Sequence, residues 1–70
     1  MIGANLEGAN LTGANLQGVY ANHANFQKSN LTGAKLHDSN LAEANFTGAT
    51  LLQATWKQAN FSQACFGESV

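Results

Sequence analysis

Residues 4–18 decide the fold, because one five-residue unit occurs there three times without interruption. They read Ala4-Asn5-Leu6-Glu7-Gly8, Ala9-Asn10-Leu11-Thr12-Gly13 and Ala14-Asn15-Leu16-Gln17-Gly18. Followed outward in both directions, the same spacing runs from Met1 to Val70 with no linker and no change of composition. We therefore expect a single repeat domain, 1–70.

Large apolar residues occupy one position of almost every unit, and Ala21 is the small exception. A small residue, or Val19, stands two positions before the next large one, and asparagine most often lies between them. The remaining two positions are mostly polar or glycine. The predicted core consists of Leu6, Leu11, Leu16, Phe26, Leu31, Leu36, Leu41, Phe46, Leu51, Trp56, Phe61 and Phe66.

A period of five excludes the common architectures. An amphipathic helix needs apolar residues at i, i+3, i+4 and i+7, a coiled coil needs an average of 3.5, and a long strand needs strict alternation. The pattern instead predicts three extended residues, with the small and large side chains inward, followed by a two-residue corner. Such units wind into a tube of parallel strands about 4.8 Å apart. The recurrence of Phe26, Phe46 and Phe66 favours four sides, although Phe61, fifteen residues after Phe46, leaves their number open.

The units resemble the motif A-(N/D)-L-x-x of the pentapeptide-repeat family, from Ala4-Asn5-Leu6 through to Ala59-Asn60-Phe61. The resemblance covers essentially the whole chain. It implies an all-β fold, a right-handed quadrilateral parallel β-helix with four repeats per coil and about three and a half coils. Because such repeats are abundant in bacteria, the resemblance also implies a bacterial origin.

Composition excludes several classes of function. The net charge is −1 and charged residues make up 10% of the chain, so there is no basic footprint for nucleic acid or an anionic membrane. No apolar run approaches the roughly 18 residues that span a bilayer, and the start of the chain shows no signal peptide, so we expect a cytoplasmic protein. One cysteine and two separate histidines predict neither a disulfide nor a metal site, and nothing indicates a cofactor.

The polar residues yield no catalytic group. His23 and Glu43 are predicted to lie one coil apart and to form an ion pair, but no nucleophile or orienting group joins them, so an incidental surface contact is the favoured interpretation. Cys65 is either a reactive thiol or a neutral replacement of asparagine. The asparagine columns are either a binding array or caps for local amides, and the second interpretation is favoured. A convex tube filled by its own side chains is expected to have no substrate pocket, which argues against an enzyme.

The two ends of the tube are the more informative surfaces. A β-solenoid exposes strand edges at its ends, and this chain shows no polar capping unit. Trp56, Phe61 and Phe66 gather towards the C-terminal end and are the predicted interface. We expect a homo-oligomer or end-to-end stacking with another solenoid, in the first instance a two-fold dimer; alternatively, the chain is one piece of a longer solenoid.

Two functions are compatible with these features. The first is a non-enzymatic scaffold or protein-interaction module whose protein partner the sequence does not identify. The second comes from the resemblance, since some pentapeptide-repeat proteins resemble duplex DNA and bind DNA gyrase. That mimicry needs a long and strongly negative rod, which a short chain with net charge −1 does not supply.

Overall fold

The chain winds as a four-sided tube. A computed structural model describes residues 1–70, and it contains no helix and no continuous strand, only single parallel β-bridges between residues twenty apart. The bridges are Asn5–Asn25, Asn10–Asn30, Asn15–Lys35, Tyr20–Asn40, Asn25–Asn45, Asn30–Thr50, Lys35–Thr55, Asn40–Asn60 and Asn45–Cys65. A spacing of twenty means four five-residue units per coil. Coil 1 therefore comprises residues 1–20, coil 2 residues 21–40, coil 3 residues 41–60, and a half-coil residues 61–70.

Backbone hydrogen bonds join each coil to the next. In the first unit, the N–H of Leu6 donates to the carbonyl of Asn25 at 2.7 Å, and the N–H of Asn25 donates to the carbonyl of Ala4 at 2.8 Å. The corner contributes a third bond, from the N–H of Gly8 to the carbonyl of Gln27 at 2.8 Å. The same three bonds recur along the tube, and the last of the series joins Leu51 to Val70. Coil 2 is therefore bonded on both edges, and coil 3 is bonded on its upper edge only where the half-coil lies. Coil 1 and the half-coil are bonded on one edge.

Every corner is a tight turn closed by a hydrogen bond, in which the N–H of the residue after the turn donates to the carbonyl of the residue before it. These bonds range from 2.9 Å to 3.4 Å, the longest being donated by Val19. The second turn residue has positive φ at all corners, as in a type II turn. Glycine supplies it six times, but eight corners hold other residues, such as His23 at 62° and Gln58 at 62°. Sequence pattern alone assigned this conformation only to the glycine corners.

The core lies in coils 2 and 3. Phe26, Leu31, Leu36, Leu41 and Phe46 are completely buried. The rings of Phe26 and Phe46 stack with centroids 4.8 Å apart, which matches the spacing of successive coils. Two serines take the place of buried alanine, and each satisfies its hydroxyl by donating to the carbonyl three residues earlier, as Ser29 does to Phe26 at 2.8 Å. The interior therefore has no unpaired polar side chain.

Burial decreases towards both ends of the tube. The predicted core residues Leu6, Leu11, Leu16, Leu51 and Phe61 are only partly buried, although all pack against the buried cluster. Trp56 and Phe66 are exposed, because no further coil lies above them. Val19 packs against the core. Ala21, the small exception among the inward residues, is fully buried.

The burial gradient predicts how much each leucine of one column stabilises the fold. Leu31→Ala is expected to lower the free energy of unfolding by about 2–5 kcal/mol, because a buried leucine is removed from a packed coil. Leu11→Ala, the matched control one coil below, is expected to cost roughly half as much. Urea unfolding followed by circular dichroism measures both, and equal losses would contradict the gradient.

The positive φ at the corners predicts that replacing a corner glycine lowers the free energy of unfolding even where the new side chain clashes with nothing. A Cβ added to Gly13 meets no atom within 4 Å, so the effect of Gly13→Ala comes from its φ of +69° alone. We expect a loss of about 1–2 kcal/mol in the free energy of unfolding. Gln17→Ala, at the exposed first position of the next corner, is the control and is expected to stay within about 0.5 kcal/mol. If Gly13→Ala leaves the free energy of unfolding unchanged, positive φ at this corner does not disfavour a residue other than glycine.

Candidate functional site

The C-terminal end of the tube is a concave apolar surface. The half-coil covers two of the four sides of coil 3, and the uncovered sides form a step. A concavity of about 590 Å³ lies at this step, lined by Leu51, Leu52, Gln53, Trp56, Phe61, Phe66, Ser69 and Val70. The expectation of a convex tube did not include this concave surface, which arises because the tube is open where a coil is half complete.

Three aromatic residues form the floor and wall of this concavity. Trp56 meets Phe61 edge to face with centroids 6.4 Å apart, and Phe61 meets Phe66 at 5.4 Å. Phe66 also stacks on buried Phe46 at 5.2 Å, so the cluster is anchored to the core. The structure thus brings together the three residues that the sequence predicts as an end interface. Exposed edge-to-face aromatic rings on a rigid base are typical of protein-binding surfaces.

Two further residues of this end were missed by sequence reasoning. Leu52 and Val70 are 57% and 67% exposed and enlarge the apolar surface beyond the aromatic cluster. Leu52 occupies the first corner position, where the other units carry mostly polar or small residues. A large apolar residue at an outward position was the available signal.

The N-terminal end is apolar as well, which the sequence analysis did not predict. Ile2 and Tyr20 are each 68% exposed, and Met1 is also exposed. Leu6, Leu11 and Leu16 form the partly buried floor of this end. Ile2, like Leu52, is a large apolar residue at the first corner position.

The two histidines on the sides of the tube do not come together, and only His37 lines a concavity there, one of about 320 Å³ formed with Gln17, Asp38, Lys57 and Gln58. His23 Nδ1 lies 3.5 Å from Glu43 Oε2, as predicted, but both side chains are at least half exposed, and such a pair contributes little. His37 lies on another corner, where its Nδ1 accepts the Lys57 N–H at 3.0 Å. Cys65 is exposed and stands alone.

No group of three or more histidine, cysteine, aspartate or glutamate side chains is placed to hold a metal ion. The structure also lacks any helix of the length and hydropathy required to cross a bilayer.

The asparagines of the repeat serve the backbone. Asn45 Oδ1 accepts the N–H of Thr47 at 3.0 Å and the Thr47 hydroxyl at 2.7 Å. The oxygens of Asn5, Asn10, Asn15, Asn25, Asn30, Asn40 and Asn60 accept the N–H two residues later in the same way. The amide oxygens are therefore occupied in stabilising corners, as the favoured interpretation of the asparagine columns expects.

The chain belongs to the pentapeptide-repeat family. The family described as pentapeptide repeats matches in eight copies over residues 1–38 and 39–69. Accordingly, the fold is a right-handed quadrilateral β-helix. No curated protein sequence matches the chain significantly.

The solved structures similar to it include two pentapeptide-repeat proteins from cyanobacteria. Rfr23 from Cyanothece 51142 is 30% identical with a TM-score of 0.91, and the match covers 94% of this chain and 46% of Rfr23. HetL from Nostoc sp. strain PCC 7120, a protein involved in the regulation of heterocyst differentiation, is 26% identical with a TM-score of 0.61. The HetL match covers 93% of this chain and 37% of HetL. The chain thus spans less than half the length of either protein. Pentapeptide-repeat proteins are generally non-enzymatic structural repeat proteins, a class with which the closed sides of this tube agree.

The asparagine contacts predict which substitution each corner tolerates. Asn45→Ala is expected to lower the free energy of unfolding by about 1 kcal/mol, because the Thr47 N–H and hydroxyl lose their acceptor. Asn45→Asp keeps an oxygen at the same place and is expected to retain most of the stability. Thermal and urea unfolding compare the two variants, and an Asp variant as unstable as the Ala variant would contradict the acceptor role.

Proposed function

We propose that this chain is a non-enzymatic scaffold that binds protein through the ends of its tube, with the C-terminal end as the principal surface. The observation that carries the proposal is the apolar concavity of about 590 Å³ around Trp56, Phe61 and Phe66. The sides of the tube are polar and their amide oxygens are occupied by the backbone. Apolar surface that is exposed, aromatic and rigidly held is concentrated at the ends.

The chemistry of the same surface supports binding rather than catalysis. The concavity is lined by apolar side chains together with Gln53 and Ser69, and it holds no acid, base or cationic group. The one His–Glu pair lies on a side of the tube and faces solvent. The one hydroxyl there, on Ser69, donates to the carbonyl of Phe66 and has no base beside it, so the site has no activated nucleophile for hydrolysis or group transfer.

Mimicry of DNA towards DNA gyrase is the less favoured function. A surrogate for duplex DNA must present a long array of negative charge, and DNA carries one charge per about 1.7 Å of its axis. This chain has four acidic and three basic residues, and its Cα trace measures 20 × 20 × 17 Å. The described coils therefore match neither the length nor the charge of such an array.

The proposal predicts that partner binding depends on the end and not on a side. Leu52→Lys combined with Trp56→Lys places two charges on the C-terminal surface, and we expect capture of partner proteins from native lysate to fall at least tenfold, since burying an unpaired charge opposes association. His23→Ala combined with Glu43→Ala is the control on the side of the tube and is expected to capture as wild type does.

The converse result would place the function elsewhere. If the side variant loses its partners and the end variant keeps them, the binding surface is a side of the tube. Inhibition of supercoiling by purified gyrase, at stoichiometric concentrations of wild-type chain, would support the gyrase alternative instead.

A further inference from the structure

The coil spacing fixes which residues meet if the tube continues into a second copy. Each residue lies one coil above the residue twenty earlier. A second copy can be placed with its Met1 at the position that follows Val70 in the spiral, which keeps the five-residue spacing across the contact. In this register, every residue of the second copy's coil 1 lies above the residue numbered fifty higher in the first copy.

This register pairs every exposed large apolar residue of the chain with an apolar residue of the other copy. Ile2 lies above Leu52, and Tyr20 lies above Val70. The remaining core columns continue with Met1 above Leu51, Leu6 above Trp56, Leu11 above Phe61 and Leu16 above Phe66. The seven exposed large hydrophobics are Met1, Ile2, Tyr20, Leu52, Trp56, Phe66 and Val70, and each acquires a partner.

From this match we infer that the N-terminal end of a second copy of this chain binds the C-terminal end of the first, coaxially and head to tail. The inference rests on the proposed role of the ends as binding surfaces and names their partner. Rotating the second copy by one or more sides separates Ile2 from Leu52, because these are the large apolar residues at first corner positions. The register is therefore specific.

The backbone edges of the two ends are complementary in the same register. At the C-terminal edge, the positions that pair between successive coils elsewhere in the tube have no backbone partner; they are the N–H of Gln53, Trp56, Gln58, Phe61, Gln63, Phe66 and Glu68 and the C=O of Ala54, Ala59, Ala64 and Ser69. At the N-terminal edge, the matching groups are the C=O of Ile2, Asn5, Glu7, Asn10, Thr12, Asn15 and Gln17 and the N–H of Asn5, Asn10, Asn15 and Tyr20. Each free donor of one edge meets a free acceptor of the other, as between successive coils within the chain.

A two-fold contact between C-terminal ends matches less well. Of the groups that pair between coils, each of its edges carries seven N–H and four C=O, so donors outnumber acceptors across the contact. It also leaves Ile2 and Tyr20 exposed. Head-to-tail stacking buries both ends, and its interface is heterologous and open, so association continues beyond the dimer.

Charge agrees with the head-to-tail register. Glu7 of the second copy lies above Lys57 of the first, at the spacing of one coil. No like-charged residues are stacked across the contact, since Glu68 lies below Gly18. The cross-section, on the order of 20 × 20 Å between Cα positions, gives an interface below the standard size of about 800 Å² per partner. Association is therefore expected to be concentration-dependent.

Two variants with one blocked end each test the arrangement. The first carries Ile2→Lys and Tyr20→Lys at the N-terminal end, and the second carries Leu52→Lys and Val70→Lys at the C-terminal end. All four side chains are exposed, so both variants are expected to melt as wild type does by circular dichroism. Light scattering at increasing concentration is expected to show wild type growing beyond twice its 7.3 kDa mass, each variant alone monomeric, and their equimolar mixture dimeric.

The mixture separates head-to-tail stacking from every two-fold arrangement. If the variant blocked at the N-terminal end dimerises alone, the contact is C-terminal to C-terminal and the inference is overturned. A wild type that stays monomeric at millimolar concentration also overturns it, while loss of other captured proteins on blocking the C-terminal end would still support the proposed function. As a further check, Glu7→Lys is expected to weaken stacking roughly twofold to fivefold and Lys57→Glu in the other copy to restore it, whereas Lys35→Glu on the side of the tube has no effect.

Discussion

The positive φ at the second residue of every corner is the constraint on which the structure depends. It turns the chain after each three-residue extended piece, so the small and large side chains of every unit point to one axis. Glycine adopts this conformation freely, but eight of the corners hold residues such as Lys28 and Asp38, for which it is unfavourable. Those corners persist because the coils around them are hydrogen-bonded and packed.

Packing in turn depends on having a neighbour on both edges. In coil 2 and on the two sides of coil 3 that the half-coil covers, the columns of leucine and phenylalanine are covered above and below, and Phe26 and Phe46 are completely buried. At the ends the same kind of side chain has a neighbour on one side only. The apolar surface at the two ends is thus a direct result of the repeat that forms the core, because no unit at either end changes to a polar composition.

Sequence reasoning located part of the candidate site and missed the rest for an identifiable reason. The sequence shows that Trp56, Phe61 and Phe66 lie close together near the end of the chain. Their meeting at the C-terminal end follows once residues twenty apart are placed above one another. The concavity was not predicted, since it arises from the half-coil step and from the tilt of the rings around it. Leu52 and Ile2 were missed because each stands in an outward position. Only the stacking of the coils shows that they belong to the apolar surface of an end.

The amino-acid sequence by itself determined the period, the inward columns and the family, because a five-residue pattern of small, polar and large residues is compatible with very few backbones. The sequence indicated the number of sides only weakly. The pairing of residues twenty apart in the structure establishes that there are four. The degree of burial, the left-handed corners without glycine and the shape of the two ends were decided by tertiary structure. These properties depend on which coil lies above and below a residue, and that neighbour is twenty positions away in the chain.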